Sequence, residues 1–257
     1  MSAGDWQCQI EGQASDGGAS DGGASQGPLP TDPVTVPWST GFEDGFCGYE
    51  KVAGYCYGDA PYVVVTAQHH DGRVAAEFKV NGGAMNQTRC VRQGVFPESA
   101  YYGAWYFIAE PLTDPGSAWN LWHFTGGDGP NQPLRALWDV TLVKGSQAGD
   151  WELVVYDPLA APPNDGTYRS ADHRSVPIGS WFHIELFLKR ATDGSGKIAL
   201  YQDGVLLFEQ ANLKSDVSKF TQWYVGDWAE KAMPADSSLY VDDVSISATL
   251  AATSAIP

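Results

Sequence analysis

Arg89, Arg92 and Arg135 are the cations that could hold an acidic sugar in a chain whose formal charge is -16, from 31 acidic and 15 basic side chains. A guanidinium grips a carboxylate through a planar fork of donors. The overall field repels polyanions, so neither nucleic acid nor an anionic membrane is an expected partner. The chain also carries 10 Trp, 12 Tyr and 10 Phe. Such rings stack on sugar C–H faces while amides, carboxylates and arginines bond the hydroxyls. Trp105, Trp119, Trp122, Trp223, Tyr224 and Trp228 are candidates, against the competing use of Trp and Tyr as core. Trp228 follows Gly226-Asp227 and precedes Glu230-Lys231, which predicts a ring exposed on a loop.

Other chemistries are disfavoured. Glycoside hydrolysis on a strand needs carboxylates spaced as Glu-x-Asp-x-x-Glu, where i and i+2 share a face. Glu152, Glu185 and the Asp242-Asp243 pair lack that spacing, and no Gly-x-Ser-x-Gly elbow offers a serine nucleophile. The cysteines Cys8, Cys47, Cys56 and Cys90 contain no CxxC pair, so thiolate zinc is not expected. If all are oxidised, three pairings are open. The preferred one is Cys47–Cys56 around the intervening GYEKVAGY stretch, with Cys8–Cys90 second, in an oxidising compartment.

These side chains must be positioned by strands. Apolar or alternating runs recur at Tyr62–Thr66, Arg73–Val80, Tyr101–Ala109, Trp119–Phe124, Leu134–Val143, Trp151–Tyr156, Trp181–Lys189, Lys197–Gln202, Val205–Glu209, Thr221–Val225 and Leu239–Ser247. Gly, Pro, Asp and Asn separate them, and Asp203-Gly204 offers a hairpin turn. In 181–189, Phe182, Ile184, Leu186 and Leu188 fall on one face, and His183 and Glu185 on the other. Strict alternation in 119–124 puts His123 on the face of Trp119 and Leu121, as suits a packed histidine. The absence of a βαβ rhythm predicts an all-β, two-sheet antiparallel sandwich or jelly roll. Within the 257 residues, residues 38–250 form that domain. Residues 1–37, with an Ala-Ser-Asp-Gly-Gly repeat and several prolines, read as a flexible tether, and 251–257 as a C-terminal tail. The tether is of the kind that follows an export or lipoprotein signal, so an extracellular or cell-surface place is expected. No apolar run is long enough to cross a bilayer.

The order of several segments is familiar. Gly41-Phe42-Glu43-Asp44-Gly45 comes first, then Tyr101-Tyr102-Gly103-Ala104-Trp105-Tyr106-Phe107 and Trp119-Asn120-Leu121-Trp122-His123-Phe124. Gly179 to Glu185, Gly196 to Gly204 and Tyr240-Val241-Asp242-Asp243-Val244 follow. Taken together they resemble the concanavalin A-like lectin/glucanase superfamily, and within it the heparin-lyase-like jelly-roll polysaccharide lyases. The resemblance implies a concave sheet forming a glycan groove. It puts His123 where such lyases carry a groove histidine, and Arg89 and Arg92 on their arginine-bearing strand. Alginate-type members end on Tyr-Phe-Lys-Ala-Gly-x-Tyr. Here the matching stretch is Gln222 to Trp228, with Trp228 at the last tyrosine and Tyr224 at the lysine, which leaves the proton-transferring tyrosine unassigned. The superfamily also implies a structural calcium ion between the first and last strands, with Glu43, Asp242 and Asp243 as its ligands.

Three functions are therefore expected, in this order: an exported carbohydrate-binding module that takes a polysaccharide in its groove; a lyase that cleaves a uronic-acid polymer by β-elimination; and an adhesion or structural ectodomain without a glycan ligand.

Overall fold

The computed structural model describes residues 11–12, 30–80, 86–110, 119–129, 131–145, 147, 149–158, 160, 166–215, 218–229 and 237–251. Along them run β1 (Glu11–Gly12), β2 (Trp38–Thr40), the helical turn α1 (Cys47–Glu50), β3 (Gly54–Gly58), β4 (Tyr62–Val65), β5 (Ala75–Lys79), β6 (Asn86–Gly94), β7 (Ser99–Ile108) and β8 (Trp119–Gly127). They continue with β9 (Arg135–Lys144), β10 (Trp151–Tyr156), β11 (Thr167–Tyr168), β12 (Trp181–Lys189), β13 (Gly196–Gln202), β14 (Val205–Leu213), β15 (Phe220–Ala229) and β16 (Ser238–Ser247).

Among the described residues, nine strands form one sheet in the order β1-β4-β5-β16-β7-β12-β13-β14, with β2 also on β16. Seven form the other, β11-β10-β9-β8-β15-β6-β3, and its ladders are antiparallel. This is the two-sheet jelly roll that the residue pattern predicts. Alternation explains it locally: Phe182, Ile184, Leu186 and Leu188 of β12 are all buried between the sheets. They meet Tyr102, Ala104 and Tyr106 of β7, and Trp122, Phe124 and Trp223 from the seven-stranded sheet, in one core. Large rings interlock there edge to face, as Trp122 does on Trp223 at 5.2 Å and 87°, and each ring buried this way is worth about 2–3 kcal/mol.

Strands β3 and β6 have no counterpart in the apolar runs of the sequence. Residues 86–94 are rich in Gln, Arg and Thr, and β6 exists because β15 on one side and β3 on the other supply its ladder. Those two strands also decide the cysteines. Cys56 and Cys90 stand in register across the β3–β6 ladder and are disulfide-bonded. The expected Cys47–Cys56 and Cys8–Cys90 pairs are thereby replaced: α1 turns the chain after Cys47, and β3 carries Cys56 to β6. Cys47 is also oxidised, and Cys8 lies outside the described residues, as does the 14–25 repeat. Two parts of the 1–37 segment join the fold, since Glu11 and Gly12 pair with Val63 and Tyr62, and Val34 is buried.

Candidate functional site

The outward face of the seven-stranded sheet is read from its register. Tyr224 of β15 stands between His123 of β8 and Val91 of β6, and Val91 faces Tyr55 of β3. One step along, Gly226 faces Arg89, and Arg89 faces Tyr57. On the other side His123 faces Asp139 of β9, which faces Tyr156 of β10. Cross-strand partners project to the same side of a sheet. Arg89, His123, Asp139, Tyr57 and Tyr224 therefore share one face.

Asn120 joins them because β8 is bulged. Against β9, Asn120 pairs with Thr141 and Trp122 with Val140, leaving Leu121 as the extra residue. A bulge shifts every later side chain to the other face. Asn120 and His123, three apart and on opposite faces of a regular strand, thus come together. Leu121 and Trp122 both turn to the core. The expectation that His123 shares a face with Trp119 and Leu121 is corrected by this single inserted residue.

The cluster is tied by hydrogen bonds. Arg89 donates from Nη2 to Asn120 Oδ1 at 2.8 Å and from Nε to the Asp227 carbonyl at 3.3 Å. Its guanidinium lies 5.6 Å from the centre of the Tyr224 ring, a cation–π arrangement. The Tyr224 and His123 rings are 5.4 Å apart. Tyr224 Oη donates to Gln222 Oε1 at 2.6 Å, Thr125 Oγ1 donates to the same oxygen at 3.1 Å, and Gln222 Nε2 donates to Gln93 Oε1 at 2.8 Å. His123 Nδ1 meets Asp139 Oδ1. Burial pushes the Tyr57 phenol up to about 12, against the opposing charge of Arg89, so it remains a donor at neutral pH.

A carboxylate accepts and does not donate, so Asp139 holds the proton of neutral His123 on Nδ1 and leaves the Nε2 lone pair as a base. Beside it stands a phenol able to exchange a proton, and beneath both a guanidinium and an amide able to hold a carboxylate. This is equipment for moving a proton next to an acid group.

Other residues singled out by type lie elsewhere. Arg92 points between the sheets, where Nη1 donates to the carbonyls of Ala53 and Gln93 and the guanidinium covers Trp38. It falls on the core side because it pairs with buried Trp223. Trp119 and Trp122 are core residues, the former bonding Asp227 through its indole N–H. Trp105 belongs to the other sheet and stacks on His70 at 3.7 Å. Arg135 is engaged with Asp128 through bonds of 3.1 and 3.3 Å at the strand end. Trp228 is in β15 rather than a loop; it pairs with Gln87 and Asn120 at the end of the cluster and is half-buried.

The carboxylates expected to hold calcium form a clasp of hydrogen bonds. Glu43 Oε1 accepts the Arg73 and Val74 amides, Asp242 Oδ2 accepts those of His70 and Asp71, and Asp243 Oδ2 meets His70 Nδ1 at 2.8 Å. Among the described residues no group of three His, Cys, Asp or Glu is arranged to hold a metal. Calcium remains an expectation of the resemblance.

Asn120, Asp139, Tyr57 and Gln222 were not visible as site residues in the sequence. The nearest signal is Asn120-Leu121-Trp122-His123, a polar pair around two large apolar residues inside a strand, which is the pattern a bulge produces.

No family model matches the sequence, and no curated protein does. Solved structures do match. The endo-β-1,4-glucuronan lyase of the fungus Trichoderma reesei is 17% identical over 76% of this chain and 87% of that one, with a TM-score of 0.54. The PL-14 alginate lyase of Aplysia kurodai is 13% identical over 83% and 99%, with a TM-score of 0.56. Alginate lyase Aly36B is 12% identical over 69% and 82%, with a TM-score of 0.50. At these identities the likeness is one of fold: the chain is a two-sheet antiparallel jelly roll, an architecture it shares with these polysaccharide lyases.

Proposed function

We propose that this protein is a polysaccharide lyase that cleaves a uronic-acid polymer by β-elimination, with Arg89, Asn120, His123 and Tyr224 as its active site. Arg89 and Asn120 hold the uronate carboxylate and stabilise the charge that builds on it when the C5 proton leaves. His123 Nε2 takes that proton, and the C–H electron pair becomes the C4–C5 double bond. The C4–O bond breaks, and its oxygen is protonated from the Tyr224 hydroxyl. Trp228, beside Asn120, offers a ring on which a neighbouring sugar stacks.

The observation that carries this reading is the convergence of the four side chains through the β8 bulge, with His123 held in one tautomer by Asp139. A binding module needs stacking rings and hydroxyl partners but no oriented histidine. That the fold is shared with lyases named for glucuronan and alginate supports a uronate polymer as substrate. The oxidised Cys56–Cys90 pair supports a place outside the cell.

The test follows absorbance near 235 nm on alginate, glucuronan, heparin and hyaluronan, because the unsaturated product absorbs there. A rise abolished by His123→Ala is expected, since proton transfer by a placed side chain is worth about 10²- to 10⁴-fold. A flat trace on every polymer, with glycan retention that Trp228→Ala removes, would instead make the domain a binding module.

A further inference from the structure

The bulge in β8 has a partner in β15. Between Val225, which pairs with Trp122, and Trp228, which pairs with Asn120, Gly226 and Asp227 have no β8 partner. Gly226 takes φ +138°, and a Cβ there would lie 2.3 Å from the Thr88 carbonyl oxygen, so only glycine fits. The two irregularities face each other and open a gap in the ladder. Buried backbone groups must find partners, and in this gap they find Tyr106. Its hydroxyl, reaching across from β7 in the opposite sheet, donates to the Leu121 carbonyl at 3.2 Å and accepts from the Gly226 amide at 3.3 Å. Each partner belongs to one of the two irregular segments.

We propose that Tyr106 is the positioning residue of the groove site: its hydroxyl pins the facing irregularities of β8 and β15, and so fixes Asn120 and His123 against Arg89 and Tyr224. Tyr106 touches no substrate, because it is fully buried between the sheets. Its burial drives the phenol far above its ordinary range, so it is a permanent hydrogen-bond donor. Without the hydroxyl, the Leu121 carbonyl and Gly226 amide lose this buried partner, and the bulge can relax toward a register that separates Asn120 from His123. The aromatic ring fills the core; the oxygen sets the geometry. This inference rests on the lyase reading for its kinetic consequence and stands apart from it for its structural one.

The test compares Tyr106→Phe with Ile198→Val, a mild core truncation on β13 of the same nine-stranded sheet, in the full chain. In Tyr106→Phe, kcat is expected to fall about 10- to 100-fold with KM changed less than about threefold, as misplacement of reacting groups predicts. By NMR, the Gly226 amide loses protection from hydrogen exchange and the His123 imidazole signals shift. Ile198→Val leaves all three as in the wild type. Equal kcat losses in the two variants would overturn the proposal, and so would Gly226 protection and His123 signals that Tyr106→Phe leaves unchanged. If the wild type cleaves no uronate polymer, the lyase reading fails. The exchange and imidazole signals then decide the pinning alone, their change supporting it and their constancy overturning it.

Discussion

Asp139 stands directly across the β8–β9 ladder from His123, and its carboxylate meets Nδ1 of the imidazole. The pair spans 16 residues of sequence but is adjacent in the sheet, and both side chains are largely covered. A carboxylate in that position does two things. It fixes which ring nitrogen carries the proton, and it stabilises the imidazolium that forms when His123 takes a proton from substrate.

Replacing Asp139 by Asn keeps the size of the side chain and removes its charge. The amide can present its N–H₂ to Nδ1 and so turn the ring to the wrong tautomer. A fall in kcat of about 10²-fold or more is expected, with glycan retention unchanged and a far-UV spectrum like that of the wild type. Full activity in Asp139→Asn would remove His123 from the role of base.

The aromatic candidates separate by sheet. Trp228 lies beside Asn120 on the groove face, whereas Trp105 is on the outside of the other sheet beneath His70. Trp228→Ala should weaken retention on a uronate polymer about tenfold, the worth of one stacked ring. Trp105→Ala should leave retention unchanged in affinity electrophoresis. The reverse pattern would move the binding face to the nine-stranded sheet.

Most of the sandwich was legible because alternation in strands such as β12 is direct evidence of one buried face, and the core residues follow from it. The candidate site was legible only in part. His123 and Arg89 came from the order of motifs, but Asn120 depends on an inserted Leu121, which breaks the period-two pattern, so strict alternation assigns Asn120 and His123 to opposite faces. Asp139 became a site residue through register, which is a property of strand pairing. The arginines show the same limit: Arg89 and Arg92 differ by three positions in a regular strand, which sends one to the groove and the other to the core. Composition could not distinguish them. The strand that bears them was itself invisible to hydrophobic patterning, since its ladder comes from its neighbours.

The Cys56–Cys90 disulfide ties β3, the last strand of its sheet, to β6, and Arg89 immediately precedes Cys90 on β6. The bridge closes a loop with a sequence separation of 34, and a loop of that size is worth about 4 kcal/mol in the chain-entropy account. The double variant Cys56→Ala/Cys90→Ala should therefore lower Tm by roughly 10 °C. Its activity should also fall more steeply with temperature than that of the wild type, because β6 carries Arg89. An unchanged Tm in the variant, measured by calorimetry without reductant, would show that the ladder alone holds β3.

Acid acts on the opposite sheet. Burial pushes the imidazole of His183 down to about 4 from 6.5, Asp203 opposes the shift, and His70 adds to it. The residue sits under Trp105 beside Gly103, with its backbone amide on Asp203 Oδ1 at 2.8 Å. Because the folded pKa lies below the unfolded one, the unfolded chain takes up a proton that the folded one refuses. Stability is therefore full above about pH 6.5 and is lost as pH falls toward 4, by on the order of 3 kcal/mol. His173 works in the opposite direction. Hydrogen bonds to Asp150 and Glu152 raise its pKa, so its contribution is present below its unfolded value and fades as pH rises through the folded one. Urea unfolding of the wild type between pH 4 and 7 should show the acid loss, and His183→Gln should flatten it. An identical slope in that variant would assign the acid sensitivity to other groups.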